Sequence, residues 1–143
     1  MELRNALSYP RANALFVRKV LSAQCAPADA IGNCVCITGP DIAGKYQVTT
    51  ANPADVNKMP AWGVIKKKTS STECKVQFVG EIKGMYALMI PQDVLFVGSD
   101  GKLSNIPPAP SVGGYAFVQA MGHVLSDDAL LLMPTFSLTK RIG

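Results

Sequence analysis

Five side chains in this sequence have the chemistry for covalent catalysis or metal binding: the thiols of Cys25, Cys34, Cys36 and Cys74, and the single histidine, His123. Cys34-Val35-Cys36 places two thiols on one face of an extended segment, and with Cys25 or Cys74 they could bind zinc. Zinc ribbons and knuckles need paired C-x-x-C elements, and this spacing supplies none. The thiols therefore read as small apolar packing residues. A nucleophile pair would join Cys25, Cys34 or Cys74 to His123. No third group is placed to orient the imidazole, so His123, between Gly122 and Val124, reads as a structural or surface histidine. Asp127-Asp128 reads as a solvated turn, and Glu73 and Glu81 as surface charges flanking a strand. Gly113-Gly114 has no helix after it, which a phosphate-binding loop requires. Lys66-Lys67-Lys68 is the densest basic run. It could touch nucleic acid or an acidic protein surface, but no aromatic platform is interleaved with it, and it reads as a solvated hairpin tip. The residues thus nominate no catalytic, cofactor-binding or metal-binding position, and the expected class is a protein that is not an enzyme.

Bulk properties narrow the classes further. The chain has 143 residues, 48% of them hydrophobic and 17% charged, with a formal net charge of +4 and a pI near 8.9. That length suits one domain with a real core. The hydrophobic content argues against disorder. The charge falls well short of a nucleic-acid binder driven by electrostatics, so no specific nucleic-acid partner is expected. No apolar run approaches the roughly 18 residues that cross a membrane as a helix. Charges at Glu2, Arg4, Arg11, Arg18 and Lys19 precede no uninterrupted apolar stretch, which is unlike a secretory signal. Four irregularly spaced cysteines do not make a disulfide framework and are expected to be reduced thiols.

The elements that must position these residues are strands. Lys58 to Glu81 carries an apolar segment at Ala61–Ile65, a polar stretch at 66–73 and an alternating segment at Cys74–Gly80. Cys74, Val76 and Phe78 are expected on one face, and Lys75, Gln77 and Val79 on the other. This reads as a hairpin, with Trp62 and Phe78 as core anchors and no binding pocket. Further strands are expected at Cys34–Thr38, closed by Gly39-Pro40-Asp41, and at Tyr46–Thr50. A connector at 51–60 has room for one helical turn at Asp55–Lys58. Strands follow at 84–90 and 94–97, then an Asp100-Gly101 hairpin signal, a Pro-rich loop at 106–110, and strands at 115–125 and 129–134. The expectation is an all-β barrel or sandwich of about eight short antiparallel strands at 24–143. Residues 1–23 read either as an extended N-terminal arm that ties onto a neighbour or as an edge strand on the protein's own core.

The order of these pieces resembles a known group. Gly32 to Gly39 is a short strand segment. Lys58 to Val64 reads K-M-P-A-x-G-V, Val76 to Glu81 reads V-Q-F-x-G-E, and Val94 to Leu103 reads V-L-F-V-G-x-D-G-K-L. A Pro-rich loop at Ile106 to Pro110, V-Q-x-M-G-H-V at Val118 to Val124 and L-L-L-M-P at Leu130 to Pro134 complete the series. Across about residues 30–136 this resembles the small β-rich virion proteins of tailed bacteriophages. These include capsid decoration (cement) proteins and capsid- or tail-attached fibre modules. The resemblance implies a homotrimer on the outer surface of a phage head, assembled in the host cytoplasm, whose partner is the major capsid protein and whose role is to stabilise contacts between capsid subunits. The alternative within the same group is a tail-fibre or spike attachment module.

Overall fold

The computed structural model describes residues 19–143, and within them the chain is all β apart from a single turn of 3-10 helix. Twelve strands appear where about eight were expected. They are β1 (Val20–Gln24), β2 (Cys34–Ile42), β3 (Lys45–Thr50), β4 (Gly63–Lys68), β5 (Glu73–Gln77), β6 (Gly80–Lys83), β7 (Val94–Val97), β8 (Leu103–Ser104), β9 (Tyr115–Val118), β10 (Ala120–Ser126), β11 (Ala129–Leu132) and β12 (Thr139–Ile142). Val56–Lys58 forms the 3-10 turn, and the side chain of Asp55 caps it by accepting from the Asn57 amide at 2.9 Å.

Three sheets result. A closed barrel runs β1-β3-β2-β4-β5, a second sheet runs β6-β11-β10-β7-β8, and β9 pairs with β12 in a ribbon. Alternating directions cannot close a ring with an odd number of members, so one neighbouring pair in a five-stranded barrel must run the same way. That pair is β1 with β3, registered at Ala23↔Tyr46 and Gln24↔Gln47. The expectation of antiparallel strands throughout is corrected at this seam alone, since every other pairing is antiparallel.

Two cores share β2 and β4. Val35 and Ile65 face the barrel lumen with Ala23, Val48, Cys74 and Val76. Their neighbours Cys34 and Val64 face outward, into a second core with Val97, Met121, Leu130 and Leu132. Both faces of these strands are covered, so their sequence is apolar without alternation. The two thiols of Cys34-Val35-Cys36 do share a face, and both are buried.

Three local expectations are overturned. Gly39-Pro40-Asp41 does not end β2; the strand continues through irregular register, and the turn falls at Ala43 (φ 53) and Gly44 (φ 79). Met85–Ile90 is a loop, with Leu88 in the left-handed region at φ 59, because Tyr86 and Met89 pack down on the core while Leu88 points to solvent. Residues 115–125 are two strands in two sheets, parted at Gln119. Gln77 takes the face opposite Val76, as expected, and is buried there. Its Nε2 donates to the carbonyls of Val79 (3.1 Å) and Glu81 (3.0 Å), which shapes the step from β5 to β6. Of the expected N-terminal arm at 1–23, residues 1–18 lie outside the described residues. Val20–Gln24 is a strand enclosed between β3 and β5, so the expected boundary at 23/24 falls within it.

Candidate functional site: the open mouth of the barrel

Period-2 alternation on the barrel strands sends one set of side chains to the lumen. At one end that set is not covered. Leu21 and Ala23 from β1, Val35 and Ile37 from β2, Tyr46 and Val48 from β3 and Val76 from β5 surround a cavity of about 300 Å³, completed by Trp62 and Phe78 just outside β4 and β5. None of these nine side chains is charged, and their only polar atoms are the Tyr46 hydroxyl and the Trp62 indole nitrogen. Ile37, Tyr46 and Trp62 keep 37%, 41% and 44% of their surfaces in water, so the rim is open. Apart from the Tyr46 hydroxyl and the Trp62 N–H, the cavity offers only apolar surface. It has the makings of a socket for an apolar side chain.

Trp62 sits on the rim of this socket, against the expectation of a core anchor. Its amide donates to the Val35 carbonyl at 2.7 Å, which fixes the backbone one residue before β4. The ring then leans on Phe136, with centroids 4.6 Å apart and planes at 41°. Phe136, from the segment between β11 and β12, is itself 53% exposed, so the aromatic rim reaches beyond the barrel. Phe78 is half-buried and lines the socket.

The residues singled out for chemistry are arranged differently. Burial, with Asp100 as a lesser cause, pushes the Cys34 thiol far above its ordinary range. Burial also raises Cys36. Cys74 is pushed up to about 12, by burial first and then by the neighbouring Cys25 thiol. Metal ligation and nucleophilic attack both need thiolate, and these shifts oppose it. His123 is exposed on β10, on the face opposite the core-facing Val124. Among the described residues, no three His, Cys, Asp or Glu side chains gather in a way that could hold a metal ion. Asp127 and Asp128 form the β10–β11 turn, where Asp128 accepts from the Ser126 hydroxyl at 3.0 Å. Glu81 is exposed, while Glu73 meets the Lys45 ammonium at 2.6 Å. Lys66 and Lys67 are exposed, as a solvated tip requires. Lys68 is turned back, with Nζ donating to the carbonyls of Asp29 (2.7 Å), Ala26 (3.0 Å) and Ser71 (3.2 Å).

Two polar residues of structural weight escaped the sequence reading. Asp29 is buried, and its carboxylate accepts from the Thr50 hydroxyl at 2.6 Å and the Ala26 amide at 2.8 Å. Gln119 is fully buried at the corner between β9 and β10. Alternation was the available signal for the socket: Leu21, Ala23, Val35, Ile37, Tyr46 and Val48 hold the inward parity of three strands. What alternation lacks is the ring that brings those parities together. No protein-family model, curated protein or solved structure matches this chain.

Proposed function

We propose that this protein is a capsid decoration (cement) module that binds the outer surface of a tailed-phage head and holds neighbouring major capsid subunits together, without enzymatic activity. The observation that carries the reading is the barrel mouth: an uncharged cavity of about 300 Å³ with an aromatic rim. A deep apolar socket ringed by Trp and Tyr is the usual form of an interface hot spot, where one protruding side chain from a partner is wholly desolvated. The partner in this reading is the major capsid protein, which presents an apolar side chain to the socket. Threefold repetition of that contact, as a homotrimer, multiplies a modest single-site affinity through effective concentration. The lightly charged sequence and the exposed Ile37, Tyr46, Trp62 and Phe136 suit a surface meant to be covered.

The test is co-sedimentation of the purified protein with expanded, undecorated heads, together with the heat resistance of those heads. The expected result is saturable binding and a higher head-disruption temperature, both lost in a Tyr46→Ser/Trp62→Ser double variant that remains folded. Absence of binding by the wild type sinks the reading. If antibody labelling in electron micrographs of virions marks the tail instead, the tail-fibre attachment module replaces it.

A further inference from the structure

Cys25 and Cys74 stand on opposite sides of the seam that closes the barrel. In the β1–β5 ladder Ala23 is opposite Cys74 and Gln24 is opposite Glu73. Cys25 follows directly, its amide donating to the Thr72 carbonyl at 2.9 Å. Counting by twos, Cys25 shares the inward parity of Ala23, which is the side Cys74 also occupies. Cys25 packs against the lumen cluster that contains Cys74, and its thiol is among the neighbours that raise Cys74. The pair is asymmetric. Cys74 is 1% exposed. Cys25 is half-buried and also lines an open cleft of about 350 Å³ with Thr38, Gln47 and Thr72. Cys34 and Cys36, both buried, point to the other face of β2.

We infer that Cys25 and Cys74 form a redox-controlled staple: a disulfide that joins β1 to β5 when the protein meets a low-molecular-weight disulfide such as oxidised glutathione. Cys25, at the cleft, is the sulfur that the oxidant reaches. Its thiolate attacks one glutathione sulfur, which forms a mixed disulfide and releases one glutathione thiol. Cys74 then gives its proton to water and attacks the Cys25 sulfur. The bond to glutathione breaks, and the second glutathione leaves. Two protein thiols are oxidised, and one small disulfide is reduced to two thiols. Burial holds Cys74 as a thiol at neutral pH, so the first step falls to Cys25 and the second is the slow one. The staple matters because β1 is held on its other side by only the two registered positions shared with β3. Joining the seam also closes a loop of about 50 residues in the unfolded chain, which constrains that state strongly.

The experiment uses the full chain, purified under reductant and then exposed to oxidised glutathione. Maleimide labelling and intact mass count the thiols, and fragmentation of the linked tryptic peptides identifies which cysteine of residues 20–45 is joined. The count is expected to fall from the four cysteines of the sequence to two, with residues 69–75 joined to residues 20–45 through Cys25. Tm is expected to rise on the order of 10 °C and to return on adding dithiothreitol. Cys74→Ser is expected to stop at a stable glutathione adduct on Cys25. Cys25→Ser, at a half-exposed position that does not threaten folding, is expected to keep all three remaining thiols, those of Cys34, Cys36 and Cys74, after exposure to oxidised glutathione. Four thiols remaining in the wild type, a linkage to Cys34 or Cys36, or an unchanged Tm after oxidation overturns the inference. None of these outcomes depends on capsid binding.

Discussion

Gln119 treats Ala61 as a strand treats its partner. The side-chain Oε1 accepts from the Ala61 amide at 2.7 Å, and Nε2 donates to the Ala61 carbonyl at 2.8 Å, with a further bond to the Thr135 carbonyl at 2.6 Å. One buried amide therefore joins the lead-in to β4 to the corner between β9 and β10 and to the segment that carries Phe136. It satisfies backbone groups of Ala61 that no ladder reaches. It also explains why the chain breaks at residue 119, since the side chain is committed sideways where a continuous strand would need it above or below the sheet.

Gln119→Leu keeps the volume and removes all three bonds. Two Ala61 groups and the Thr135 carbonyl then lose their buried partner, and a loss of about 3–5 kcal/mol is expected in urea unfolding, with the m-value unchanged. Gln119→Glu gives a sharper signature. A protonated Glu can still accept from the Ala61 amide and donate to one of the two carbonyls, whereas a carboxylate donates to neither and is buried. Its folded-state pKa is therefore raised, so the variant is expected to be below wild type by about one buried hydrogen bond at pH 4 and to lose further stability as pH rises toward 7.

Trp62→Ala separates rim from core. A buried tryptophan truncated to Ala costs about 3–5 kcal/mol. Trp62 is 44% exposed and leans on a half-exposed Phe136, so a loss of about 1 kcal/mol is expected instead. Trp62 is also the only tryptophan. Filling the socket is expected to shift its fluorescence to the blue, and an unchanged spectrum on binding would place the contact elsewhere.

Alkaline pH is expected to weaken the fold from about pH 9 upward. Burial raises the thiols of Cys34, Cys36 and Cys74 above their ordinary 9.0, and the Tyr86 hydroxyl above its ordinary 10.0. These groups are neutral when protonated. Below pH 9 both states hold the protons and stability is flat. Above it the unfolded chain releases protons that the folded chain retains, so unfolding becomes easier with each added unit until the folded groups titrate, at about 12 for Cys74. Urea midpoints under reductant from pH 7 to 11 check this. Tyr86→Phe, which also removes the bond to the Gly32 carbonyl at 3.0 Å, is expected to start lower and to fall less steeply above pH 10.

Gly122→Ala is expected to be severely destabilising. Gly122 lies in β10 between β7 and β11, and a Cβ there would run into the Leu131 carbonyl oxygen on the neighbouring strand. The obstacle is backbone held in a ladder, with no flexible side chain to give way. A loss above about 3 kcal/mol, or failure to fold, is expected; thermal unfolding beside Gly113→Ala, where a Cβ meets open space and only the left-handed φ of 77 strains the substitution, separates the clash from backbone strain.

Much of this fold could be read from residues within about ten positions of one another. Tyr46–Thr50 and Val94–Val97 announce strands through β-branched and aromatic residues, and Asp100-Gly101 announces its turn because Gly101 takes φ 82 freely. The all-β class follows from such local signals. Tertiary structure alone decided the rest. Whether Trp62 is core or rim depends on which side of β4 is covered, and its neighbour Phe136 is far away in sequence. The odd-membered ring, its one parallel seam and the socket at its mouth arise when β1 closes on β5, across about 50 residues of chain. Backbone preference acts on a residue and its neighbours, so sequence pattern could say that side chains alternate. Burial is a property of what other segments leave uncovered, and only the closed ring could say that nine apolar side chains would end around one opening.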